Sequence, residues 1–202
     1  MQINIDKKTG ILLSVIAALL ISIVLVASSG MKDSDSDNDH MGMMGGHGHN
    51  SNSQMVGSDA MFLQMMIPHH EQAVVMSDLA LSTSKDADVL KLAKQIKDAQ
   101  APEISKMQGW LVDAGLSKDP GHSMGDGMDG MLSDSELSAL KGSTGKAFDK
   151  LFLTGMIAHH EGAINMVMMI ENSSNSDISN LGKEIVKSQA AEIELMKQLF
   201  KK

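Results

Sequence analysis

One stretch of this chain is written twice. Phe62-Leu63-x-x-Met66-Ile67-x-His69-His70-Glu71-x-Ala73-x-x-Met76 returns as Phe152-Leu153-x-x-Met156-Ile157-x-His159-His160-Glu161-x-Ala163-x-x-Met166, identical at every named position. A second block follows each copy. Leu92-x-Lys94-x-Ile96-x-x-x-Gln100-Ala101-x-Glu103-Ile104-x-x-Met107 is matched by Leu181-x-Lys183-x-Ile185-x-x-x-Gln189-Ala190-x-Glu192-Ile193-x-x-Met196. Each repeat is therefore a pair of segments joined by a short polar turn, Ser82-Thr83-Ser84-Lys85 or Asn172-Ser173-Ser174-Asn175. A supersecondary unit that cannot bury its apolar face alone does so against its own copy, which limits the domain to two matched hairpins.

The period of the apolar residues makes those segments helices. Phe62, Met66, His69, Ala73, Met76 and Ala80 recur at intervals of three and four, tracing one seam of a helix that packs against others. Ile96, Gln100, Glu103, Met107 and Trp110 form the matching seam of the partner segment. An all-α four-helix bundle built from two repeated helical hairpins follows. Pro68 and Pro102 fall inside predicted helices and should each remove a backbone hydrogen bond and bend the axis, yet Ala158 and Ala191 replace them in the second copy. Ser133 and Glu136 have capping-box spacing and predict a short extra helix, separated from the third long one by Gly142 and Gly145.

Ahead of the repeats, Ile11 to Ala27 is an uninterrupted, uncharged apolar run preceded by Lys7 and Lys8. As a helix at about 1.5 Å per residue it crosses a bilayer core, so residues 1–29 are expected to be a signal peptide or a membrane anchor. The positive flank places everything downstream outside the cytoplasm, in the periplasm or at the cell surface, anchored or secreted. Residues 30–57, rich in Met, His, Gly and Asp, read as a flexible tether. Residues 58–202 form the helical domain: repeat one at 58–115, a linker at 116–133, repeat two at 134–202.

Composition narrows the chemistry. A net charge of −8, no tyrosine and one tryptophan exclude a phosphate-neutralising or base-stacking surface, so nucleic acid is not an expected partner. Cysteine is absent, which removes disulfides, thiolate metal sites and cysteine nucleophiles together. Methionine occurs 19 times and histidine 8 times. A methionine stripe alone is ordinary core filling, but a duplicated Met-x-x-His-His is not, because a core needs no paired imidazoles. His40 to His49 and Gly121 to Met131 also concentrate Met and His in segments too rich in glycine to pack. Thioether with imidazole selects Cu(I), and by the same softness Ag(I). On their helices Gln100, Glu103, Gln189 and Glu192 point inward with the histidines and need partners there, whereas Glu71 and Glu161 fall on the solvated side.

These doubled motifs resemble the domain of unknown function 305 family, whose hallmarks are Met-Ile-x-His-His-Glu-x-Ala-x-x-Met in two copies and a later Gln-x-x-Glu-Ile-x-x-Met. The resemblance spans about residues 58–202. It implies a ferritin-like bundle, usually exported, in a family that includes a cyanobacterial periplasmic copper-resistance protein. Carried over by matching position, the implied metal residues are Met66, His69, His70, Met76, Met156, His159, His160 and Met166, aided by Met107 and Met196. The expected role is copper binding, as Cu(I), without catalysis, in exchange with a metal-donor or acceptor protein. Two other readings compete. A di-iron or di-manganese oxidase would use Glu103 and Glu192, but its usual Glu-x-x-His occurs nowhere in the chain. A structural module at the membrane would use the same His and Glu only to specify helix register.

Overall fold

The computed structural model of the chain describes residues 57–118 and 128–201. The chain divides into Met1–Ser53 and Gln54–Lys202, and the second unit holds all the described residues. The apolar run at 11–27, the tether and most of the Met-rich stretch at 121–131 lie outside them. Among the described residues no helix is long and apolar enough to cross a membrane.

The described residues are helical. Four long helices, α1 (Gly57–Thr83), α2 (Ala87–Asp113), α4 (Gly145–Val167) and α5 (Ser176–Leu199), are joined by the short α3 (Asp134–Gly142) and a 3-10 turn at Met168–Ile170. Their ends follow local chemistry. Asp86 and Asn175 start α2 and α5 by accepting from the next free amides, at 2.9 and 3.1 Å and at 3.0 and 3.3 Å. Ser133 and Glu136 close the expected capping box on α3. Gly145, at φ 56°, takes the left-handed turn that separates α3 from α4. Pro68 and Pro102 lie within α1 and α2, which continue through them.

Each long helix carries its buried or half-buried polar residues near the middle: His69 and His70, Gln100 and Glu103, His159 and His160, Gln189 and Glu192. They split the apolar core in two. One cluster takes Ala73, Met76 and Ala80 from α1, Val89 to Ile96 from α2, Phe148 to Met156 from α4 and Ile193 to Leu199 from α5, with Leu140 docking α3. The other takes Phe62 to Ile67, Met107 and Leu111, Ala163 to Ile170, and Ile178 to Ile185. Phe62, Phe148, Phe152, Met66 and Met156 are wholly enclosed, and each such burial contributes about 1.5–3 kcal/mol. The order in which each helix meets the two clusters gives its direction. Helices α1 and α5 run one way, α2 and α4 the other, so each repeat is an antiparallel hairpin. Helices α2 and α4 are therefore parallel.

The two hairpins are also clamped to each other. Buried Ser84, in the first hairpin's turn, donates to Asp149 Oδ1 of α4 at 2.6 Å. Its repeat counterpart Ser173 donates to Asp59 Oδ2 of α1 at 3.0 Å. Asp59 and Asp149 precede Phe62 and Phe152 by three residues, so one sequence position serves both clamps. A hydrogen bond to a charged acceptor is worth about 1.5–3 kcal/mol. Ser84→Ala is expected to destabilise by about that amount, and a urea double-mutant cycle with Asp149→Ala should show most of it as coupling. Additive losses would remove the clamp.

Candidate metal centre

All ten sequence-nominated ligand residues are buried. The helical period brings this about, because His69 and His159 share seams with Met66, Met76, Met156 and Met166. Helix α1 and helix α4 meet at these histidines. The His69 and His159 rings lie 3.8 Å apart between centroids, tilted by 42°. His70 and His160 flank them, with ring centroids 6.5 and 6.4 Å from their neighbours His69 and His159.

The four imidazoles differ in what holds them. His70 Nε2 is 2.9 Å from Glu103 Oε2 of α2, and His160 Nε2 is 2.6 Å from Glu192 Oε2 of α5, so each hairpin carries one His–Glu pair. His69 Nε2 donates to the backbone carbonyl of Asp129 at 3.1 Å. His159 makes no hydrogen bond of ordinary geometry through either nitrogen, although it is fully buried. Gln100, with neither side-chain polar atom partnered, and Gln189 Oε1 are buried in the same way. Glu71 and Glu161 are exposed, as the helical period requires.

The methionines divide between the two clusters. Met66, Met107 and Met166 lie on one side of the histidine layer, and Met76, Met156 and Met196 on the other. Each trio draws on both repeats. The repeat symmetry exchanges one trio for the other, so two equivalent thioether groups bracket a single layer of imidazoles. Among the described residues no group of three or more His, Asp or Glu is placed to hold a metal ion.

Burial makes the central pair hard to charge. It pushes the pKa of His69 from 6.5 down to about 4, with help from neighbouring His70. Burial, then proximity to His69, lowers His159 well below its usual value. Both are therefore neutral near pH 7, each with one ring nitrogen carrying a free lone pair. The native state takes up these protons less readily than the unfolded chain, so stability from this source is complete above about pH 6.5 and falls as pH drops toward 4. For His69 alone the loss approaches about 3 kcal/mol at pH 4. Urea midpoints of metal-free protein at pH 7 and pH 4.5 should show it, with a smaller drop in His69→Leu. An equal drop in both would contradict the assignment.

Sequence reading missed the residues that close this layer. The end of the presumed linker, Asp129 to Leu132, is packed as a strap against α1 and α4. Gln72 grips Leu132 with two bonds, Nε2 to the carbonyl at 2.9 Å and Oε1 from the amide at 2.7 Å. Asn165 Nδ2 donates to Asp129 Oδ2 at 2.7 Å. A Cβ on Gly162 would collide with the Asp129 carbonyl oxygen, and one on Gly130, at φ 79°, with that of Ala158. Gly155 leaves room for Leu132. The available signal was the departures from the repeat: Gln72 faces Gly162 in the alignment, Val75 faces Asn165, and Met65 faces Gly155. The strap breaks the symmetry, giving His69 a partner that His159 lacks.

The same chain architecture occurs in solved proteins. A DUF305 protein from Streptomyces coelicolor, named as secreted, is 34% identical with a TM-score of 0.67, over 70% of this chain and 91% of that one. A DUF305 fragment from Deinococcus radiodurans is 28% identical, also at 0.67, over 72% and 97%. CopM in its Cu(I)-bound form is 31% identical with a TM-score of 0.61, over 71% and 95%. CopM structures in Cu(II)-bound, Ag-bound and apo forms match as well. No curated protein sequence matches the chain significantly. The family model for the domain of unknown function DUF305 matches residues 59–200, which takes in both copies of the Met-x-x-His-His segment and the paired Gln-x-x-Glu blocks, and the chain belongs to that family.

Proposed function

We propose that this chain is an exported copper-binding protein that sequesters Cu(I), and by the same chemistry Ag(I), or hands it on for metal homeostasis or resistance. The observation that carries the reading is the buried histidine layer. His159 is buried with neither ring nitrogen in a hydrogen bond of ordinary geometry, which costs about 1–3 kcal/mol unless a ligand recovers it. The methionines of the two flanking clusters offer thioethers, which need no deprotonation and prefer a soft monovalent ion. CopM, about 30% identical, is known in Cu(I)-, Cu(II)- and Ag-bound forms, which supports a copper cargo here. Two antiparallel hairpins joined by one long connection fit the ferritin-like bundle.

The oxidase reading has less to stand on. Glu103 and Glu192 are each engaged with one histidine of their own hairpin, leaving no paired bridging carboxylates, and binding without catalysis is the simpler role. Residues 1–29 would deliver the domain outside the cytoplasm, where a metal-donor or acceptor protein would exchange ions with it. Apo-protein titrated with Cu(I) against a competing chelator tests the assignment. Wild type should withdraw Cu(I) from the chelator, and joint replacement of His69, His159, Met66 and Met156 should abolish that. Unchanged competition by the variant would reject the bundle site.

A further inference from the structure

Three of the four buried imidazoles are held through the same atom. We infer that Glu103, Glu192 and the Asp129 backbone carbonyl are positioning groups that keep a proton on Nε2 of His70, His160 and His69, so that each offers its metal Nδ1. The inference rests on the proposed copper site and adds the identity of the ligating nitrogen, together with three groups that never touch the ion.

The chemistry follows from what the partners can do. A backbone carbonyl has no proton to give, so the 3.1 Å contact at Asp129 requires an N–H on His69 Nε2. In the His–Glu pairs, at 2.9 and 2.6 Å, a carboxylate oxygen has lone pairs but no proton to offer, so the imidazole Nε2 supplies the N–H. Nε2 therefore donates in all three. The atom left over is the same each time: Nδ1 of His69, His70 and His160 is buried with no hydrogen-bond partner. A metal taken up without breaking these bonds meets Nδ1, and the outer oxygen fixes the ring's tautomer and orientation as outer partners of metal-bound histidines commonly do. His159 has no such outer hydrogen bond of ordinary geometry at either nitrogen.

Long-range 1H–15N correlation spectra of the full chain, histidine-labelled, decide the matter in wild type alone. In the apo-protein His69, His70 and His160 should show protonated Nε2 and unprotonated Nδ1. Addition of Ag(I), which is diamagnetic, should shift bound Nδ1 resonances and leave Nε2 protonated. A response at Nε2 would overturn this inference while leaving the bundle site standing. A response of methionine methyl groups with no imidazole response would overturn both. Glu192→Leu should loosen the His160 tautomer and weaken Ag(I) binding about 10–100-fold. Glu192→Gln, whose amide oxygen still accepts, should restore the Nε2–H tautomer. An unaltered His160 tautomer in Glu192→Leu would remove Glu192 from the role.

Discussion

Replacing His159 with leucine is expected to raise the stability of the metal-free protein and to lower its affinity for Cu(I) by about a hundredfold or more, equivalent to about 2.7 kcal/mol of binding. The two effects have one cause. His159 is fully buried with neither nitrogen in a hydrogen bond of ordinary geometry, so the apo fold carries a desolvation penalty that an aliphatic side chain of similar size removes, for a gain of about 1–2 kcal/mol. A ligand that binds only the native state recovers that penalty in the wild type, and leucine forfeits it. His70→Leu should behave in the opposite way toward stability, because it leaves the partly enclosed Glu103 carboxylate without its imidazole. Thermal denaturation of apo-protein and chelator competition check both halves. A destabilised His159→Leu that still binds Cu(I) normally would mark His159 as a packing residue and sink the site.

The second large effect concerns a glycine. Gly162→Ala places a methyl group where the Asp129 carbonyl oxygen and the Gly130 Cα already sit. Both are backbone atoms that no rotamer change can move aside, so the strap must lift off α4. With it go the Gln72–Leu132 pair, the Asn165–Asp129 bond and the oxygen that holds His69. Overpacking of this kind costs about 1–3 kcal/mol, and the upper part of that range is expected because several bonds leave together. Gly109→Ala is the matched control. Gly109 lies within α2 with open space around its Cβ position, so the same substitution should be neutral or stabilise by up to about 1 kcal/mol through helix propensity. Urea denaturation gives the two signs. Hydrogen exchange at the Leu132 amide, which donates to Gln72, reports the strap directly, and retained protection in Gly162→Ala would show that it had not moved.

Much of the centre was legible because the information is local and repeated. Intervals of three and four at Phe62, Met66, His69, Ala73 and Met76 place those side chains on one helical face whatever packs against it. Duplication then implies a second, equivalent face. That is why the helices, the cap at Ser133, the exposure of Glu71 and the burial of His69, His159 and the methionines on their seams could be read from the chain, whereas His70 and His160 were nominated only through the family resemblance.

What the period does not carry is which faces meet, and at what height. Only the packing of α1 on α4 sets the His69 and His159 rings 3.8 Å apart, and only the antiparallel course of the hairpins sorts six methionines into two trios on opposite sides. The Ser84–Asp149 and Ser173–Asp59 clamps, and the strap on His69, join residues 60 or more positions apart. Contacts at such separations depend on how whole helices dock, and no interval within one helix records them. The sequence by itself determined the helices, their doubled pattern and the soft-ligand character of the buried stripe. The tertiary structure decided which of the central histidines bonds to the strap, because that depends on a loop passing one copy of the repeat and not the other.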